Sequence, residues 1–137
     1  MSIDWLDLVG RFNDQTLRKE EWTHNAHLVV GLWHMLEYGS IEHALCFLRP
    51  SIIIRNHRVG TENSDSRGYH ETITVFWLHE MQAFIQRMES RVFHQLVDQL
   101  LDVVKFRRKD YILSFYTREV LMSPSARGMY VPHHTNA

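Results

Sequence analysis

Apolar residues recur along most of this chain at intervals of three and four, the period of a helix with one buried side. Ile3, Leu6, Val9 and Phe12 predict a short amphipathic helix over residues 3–13, followed by a connection to Leu17. The next helix starts near Lys19 or at Thr23 and runs to Tyr38, where Gly39 suits the left-handed C-terminal position. Ser40 is an N-cap for a third helix through Val59, stopped by Gly60. Pro50 lacks an amide donor and crowds the preceding turn, so a kink or a restart is expected there. Thr61 to Gly68 is the clearest loop. Tyr69 to about Glu89 predicts the longest helix, ~30 Å at ~1.5 Å per residue. Ser90 caps a fifth helix through Val104, with Val92, Leu96, Leu100 and Val103 on one side. Lys105 to Lys109 reads as a basic connector and Tyr111 to Arg118 as a short sixth helix. The tail from about Ser123 carries two of the three prolines and reads as irregular.

Period-two alternation is not convincing anywhere. Ile52-Ile53-Ile54 and Tyr111-Ile112-Leu113 have strand propensity, but their neighbours continue the helical period. The expectation is all-α: a single domain over residues 1–137, a bundle of about four longer helices with short helices at its ends.

Composition narrows the partners. The 137 residues are 45% apolar and 23% charged, enough for one core and too apolar for disorder. Fifteen Lys and Arg against sixteen Asp and Glu, net −1, argue against a nucleic-acid or anionic-membrane binder. No apolar run approaches the ~20 residues of a membrane span, and the best, Leu28 to Leu36, is broken by His34. Met1-Ser2-Ile3-Asp4 lacks a signal-peptide start, and Cys46 alone allows no intrachain disulfide, so a cytoplasmic location is expected. Cys46 lies among Ala44, Leu45 and Leu48 and reads as a buried small hydrophobe rather than a nucleophile.

Histidine is the unusual component. There are ten, dispersed, with only His133 and His134 adjacent. On one helix His24 and His27 share a face and can reach one metal ion, with Gly31 leaving room beside them. Glu21 precedes His24 by three residues, the Glu-x-x-His spacing of di-iron bundles. His70 opens the long helix, where positive potential favours a neutral ring, and Glu71 sits in its first turn. His24, His27 and His70 are thus candidate ligands of a divalent zinc, iron or manganese ion with an open position. Glu71 or Glu21 would then be a fourth ligand or base, and metal-assisted hydrolysis the reaction class. The plainer alternative makes His24 and His27 hydrogen-bonded helix residues and His70 a cap partner.

Other residues fill in the surroundings. His34 either extends the His24 and His27 face or sits at its edge, while His43, His57, His79 and His94 read as surface. Asn56, Thr74 and Arg55 are candidate pocket residues, with Asn56 alternatively capping the loop. Arg55, Arg58 and Arg67 near a helix N-terminus suggest an anion site, though Glu62 and Asp65 weaken that field. Two further function classes stay open: a metal-free binder of a small polar or anionic ligand, and a homodimeric module using Trp5, Trp22, Trp33 and Trp77.

The segments Trp22-Thr23-His24-Asn25-Ala26-His27-Leu28, Arg55-Asn56 with Gly60, and Gly68-Tyr69-His70-Glu71-Thr72 resemble a family of small bacterial all-helical proteins of unassigned function. The likeness spans residues ~15–130, including Ser123-Pro124, Ala126-Arg127 and Val131-Pro132, and it implies no particular activity. Members often follow the late proline with an acidic residue, where this chain has His133.

Overall fold

Helix α1, Trp5–Asn13, is capped by Asp4, whose carboxylate accepts from the Asp7 amide at 3.1 Å, and it buries Leu8, Val9 and Phe12. This computed structural model describes residues 3–133. Met1 and Ser2 of the expected non-signal start, and the tail from His134, lie outside the described residues.

The second helix takes the later of its two expected starts. Lys19–Glu21 is a separate 3-10 turn, and α2, His24–Tyr38, begins after Thr23, whose Oγ1 accepts from the Ala26 amide at 3.2 Å. Gly39 closes α2 in the left-handed region, φ 80°, a conformation that glycine takes without a Cβ penalty. Ala26, Leu28 to Leu32, His34 and Met35 are all buried, so α2 is apolar nearly all round. It is the central helix.

Ser40 caps α3, Ile41–Arg58, by accepting from the His43 amide at 3.1 Å. The two-residue link makes α2 and α3 an antiparallel hairpin. Of the kink or restart expected at Pro50, the restart does not occur: the helix runs through it, and Pro50 is exposed, so its crowding and missing donor fall on the solvent side. The following loop is tied to α3 by Asn63, whose Nδ2 donates to the Ile53 carbonyl and whose Oδ1 accepts from Asn56 Nδ2 and the Tyr69 amide, all at 3.0 Å.

Helix α4, Glu71–Arg87, is 17 residues long, one shorter than α3 with 18, so the expected longest helix is the second longest. The remainder is α5, Phe93–Asp102, α6, Val104–Arg107, a 3-10 turn over Tyr111–Ser114, α7, Arg118–Leu121, and α8, Pro124–Gly128. Ser90 does not cap α5; its hydroxyl donates to Gln95 and accepts from Val92, and Val92 holds the cap position. The basic connector and the tail from Ser123 are also more regular than expected, since α6 and α8 form within them.

The all-α class is thus observed, with no strand among the described residues. α2 packs against α1, α3, α4, α5 and α6 around the main core. A second cluster, Phe76, Ile112, Tyr116 and Leu121, joins the far side of α4 to the C-terminal segment. That segment is fastened by Thr72, which is fully buried and donates from Oγ1 to the Ala126 and Met129 carbonyls at 2.6 and 3.0 Å while accepting from the Val131 amide. Cys46 is exposed rather than buried, on the outer face of α3. Among the described residues no helix is long and apolar enough to cross a membrane.

Candidate functional site

A cavity of about 630 Å³ opens among α2, α3, α4 and the segment around Lys109 and Ile112. This is within the range of small-molecule sites. His24, His27, His70, Arg55, Asn56 and Thr74 all line it, so the structure gathers most of the residues singled out in the sequence.

Their individual bonds decide what they can do. His27 Nδ1 donates to the Thr23 carbonyl at 2.6 Å, which leaves Nε2 as the lone-pair nitrogen. Its ring lies against Trp22, with centroids 3.8 Å apart and the planes tilted by 31°. His27 is an exposed residue that lines the cavity. Surrounding protein removes bulk solvent and, with the charges of His24, Arg55 and Lys109 also acting, pushes its pKa down to about 4. His24 Nε2 donates to the Phe106 carbonyl at 2.8 Å, tying α2 to α6, and its ring meets Trp77 edge-on.

His70 is committed on both sides. Its Nε2 donates to the Leu121 carbonyl at 2.6 Å, and its Nδ1 accepts from the Ile73 amide at 3.1 Å as the N-cap of α4. Burial, assisted by the charge of Arg127, lowers its pKa and keeps the ring neutral. With both nitrogens engaged, His70 has no lone pair left for a metal. Among the described residues no group of three His, Cys, Asp or Glu side chains is placed to hold one.

Neither expected carboxylate reaches the cavity wall. Glu71 is gripped by Arg49, at 2.9 and 2.5 Å, and by the Tyr69 hydroxyl at 2.6 Å. Burial alone would raise its pKa, but these bonds outweigh it and hold the carboxylate ionised. Glu21 is not on α2, so the Glu-x-x-His spacing has no helical meaning here. Arg11 binds it twice at 2.7 Å, and that bond above all holds its pKa near about 2. Both carboxylates are structural ion-pair partners in this arrangement. His34 is also elsewhere: it is buried, Nδ1 donates to the Val30 carbonyl at 2.7 Å, and its ring lies among Phe12, Trp33 and Tyr38. The four tryptophans all pack against the main core.

Arg55 was expected as a pocket residue, but its burial was not foreseen. It is 2% exposed, its Cζ stands 5.2 Å from the Trp22 ring centroid, and no carboxylate pairs with it among the described residues. Its Nη atoms make only 3.4 Å contacts, with Asn56 Oδ1 and the Lys19 carbonyl, and its Nε is buried without an acceptor. Burial, then the neighbouring Arg58, lowers its pKa. The wall adds Lys19 and Lys109, and no Asp or Glu belongs to it. These two lysines stand 90 positions apart and gave no sequence signal. Asn56 holds the loop through Asn63, and the Thr74 hydroxyl donates to the His70 carbonyl at 2.8 Å.

Comparison with protein families, with curated proteins and with solved structures returns no match to this chain. Function has to be read from the chemistry of the cavity itself.

Proposed function

We propose that the protein binds a small anion in this cavity, without a metal. The observation that supports this is Arg55: a buried guanidinium with no carboxylate partner among the described residues, in a wall whose described residues include further cations and no acid. Burying an unpaired charge is costly, and an anionic ligand is the natural compensation. Trp22 and Trp77 supply aromatic wall, and His27 supplies a second polar group beside Arg55. The segments that carry the family resemblance, Trp22 to Leu28 and Gly68 to Thr72, contribute many of these lining residues, which fits a shared site.

Titration calorimetry of the tag-free chain with small carboxylates, phosphate and their uncharged amide counterparts tests the reading. The expected result is binding by anions, weakened at least tenfold in Arg55→Met and only modestly by added salt. Equal binding of acids and amides would remove the proposal.

A divalent metal stands second. His24 and His27 each retain one lone-pair nitrogen in the tautomers that their hydrogen bonds select. Zinc, iron or manganese held there would need a third ligand from solvent or substrate, and hydrolysis would follow from its bound water. Elemental analysis of the tag-free protein distinguishes the two. Less than about a tenth of an equivalent, unchanged in His24→Ala, would leave the metal reading without support.

A further inference from the structure

We infer that the ligand is an amphipathic monocarboxylate, with its carboxylate at Arg55, beside a His27 ring that takes up a proton at Nε2 on binding, and its apolar body running between α2 and α4 toward Gly31 and Met81. This inference rests on the anion reading above and names the class of anion.

The cavity is graded along its length. His24 meets Trp77, whereas Gly31, seven residues further along α2, faces Leu78 and Met81 on α4, so the two helices run in the same sense. Arg55, near the end of α3, contacts Lys19 and Trp22 before the start of α2, so α3 runs the opposite way. Each helix therefore contributes polar lining at the same level. On α2 this is His24 and His27, on α3 Arg55 and Asn56, and on α4 His70 and Thr74. One or two turns deeper the lining is aliphatic: Gly31 on α2, Ile52 and Leu48 on α3, Leu78 and Met81 on α4. Seven residues of helix correspond to about 10 Å, room for a short acyl chain or an aromatic ring. A bare inorganic anion would leave that depth unused.

The head group follows from the donors that remain. Helix N-termini commonly hold phosphate through free amides. Here one amide at each of the two helix N-termini is taken by its own cap: Ala26 donates to Thr23 Oγ1 and Ile73 to His70 Nδ1. Beside Lys19 and Lys109, the buried donor of the wall is the planar guanidinium of Arg55, whose present contacts are long, a geometry that matches the two oxygens of a carboxylate. The floor, formed by Leu48, Ile52, Leu78 and Met81, offers no partner to a second carboxylate at the far end of the ligand.

The test is calorimetric titration of the intact protein with butanoate, hexanoate and octanoate, with hexanamide and inorganic phosphate at matched ionic strength. Affinity is expected to rise about fourfold per added methylene until the depth is filled. Hexanamide and phosphate should each bind at least tenfold more weakly than hexanoate. Gly31→Ala adds a methyl at ordinary contact distance from Leu78 and Met81, so it should fold normally and weaken octanoate more than butanoate. Arg55→Met should weaken all three acids together, which separates the site from unspecific uptake of long chains. Phosphate binding as tightly as hexanoate, with no gain per methylene, overturns the carboxylate class and leaves the anion site standing. No preference for any acid over its amide overturns both.

Discussion

The guanidinium of Arg55 lies over the indole of Trp22 at 5.2 Å, and this aromatic face is its best electrostatic partner among the described residues. A cation–π contact of this kind contributes ~2 kcal/mol when desolvated, less than the cost of burying a charge. Arg55 is therefore a strained investment in terms of stability alone. Replacing it with methionine should leave thermal stability unchanged or raise it by about 1–4 kcal/mol, as for other buried charges exchanged for apolar side chains. Circular-dichroism melts with and without ligand check this. A loss above about 2 kcal/mol would show that Arg55 serves the fold instead.

Glu71 distinguishes a structural from a catalytic carboxylate. It ends a chain of hydrogen bonds from Arg49 and Tyr69 and lies outside the cavity wall. Glu71→Gln should cost about 1–2 kcal/mol of stability and leave anion affinity within about twofold. A large loss of binding with unchanged stability would place it in the site after all.

Acid should weaken the fold in two stages. His27, His34 and His70 all titrate below the ordinary imidazole value of 6.5, burial being the leading cause for each. Their neutral forms belong to the native state, so as pH falls below 6.5 the unfolded chain gains protons that the native chain does not. Stability drops with falling pH until the native histidines titrate, for His27 at about 4. Glu21 contributes in the opposite sense of charge: its stabilisation is present above 4.5 and is lost toward about 2. Urea midpoints across this range should decline first through the histidine window, and His34→Phe should flatten part of it. A profile that stays level between neutrality and about pH 5 would contradict the neutral native rings.

Ligand binding should carry a proton. The same low pKa of His27 means that an anion beside it raises the ring's affinity for a proton. Calorimetry near pH 6 in two buffers of different ionisation enthalpy should show uptake of a fraction of one proton, abolished in His27→Gln. Identical heats in both buffers would mean that the anion and this ring do not meet.

Two glycines make a paired test of the backbone. Gly68 has φ 84°, and a Cβ there would collide with the Glu62 carbonyl and Asn63. Gly68→Ala should cost at least about 1–3 kcal/mol and loosen the loop that Asn56 and Asn63 hold. Gly31→Ala has no such conflict and should stabilise α2 by up to about 1 kcal/mol. Unfolding curves of the two variants are expected to move in opposite directions.

Much of this arrangement was legible because it is periodic or local. Ser40, Thr23 and Gly39 mark helix ends through their own side chains or backbone freedom, and His24 and His27 share a face by spacing alone. The restart at Pro50 was misleading because a helix tolerates proline on the solvent side, which periodicity does not reveal. Cys46 misled because apolar sequence neighbours need not be spatial ones. The commitments of His70 to the Leu121 carbonyl and of His24 to the Phe106 carbonyl involve backbone oxygens, which carry no residue-specific signal. Lys19 and Lys109 meet only through folding, and the ion pairs that remove Glu21 and Glu71 from the site depend on Arg11 and Arg49 arriving from other helices.

The placement of the indoles has a practical consequence. Trp22 and Trp77 form part of the cavity wall, while Trp5 and Trp33 lie against the core away from it. Two of the four indoles therefore stand where a molecule entering the cavity would displace water from their rings. Under the anion reading, the fluorescence spectrum of the unlabelled protein would gauge occupancy, with Trp5 and Trp33 as an internal reference.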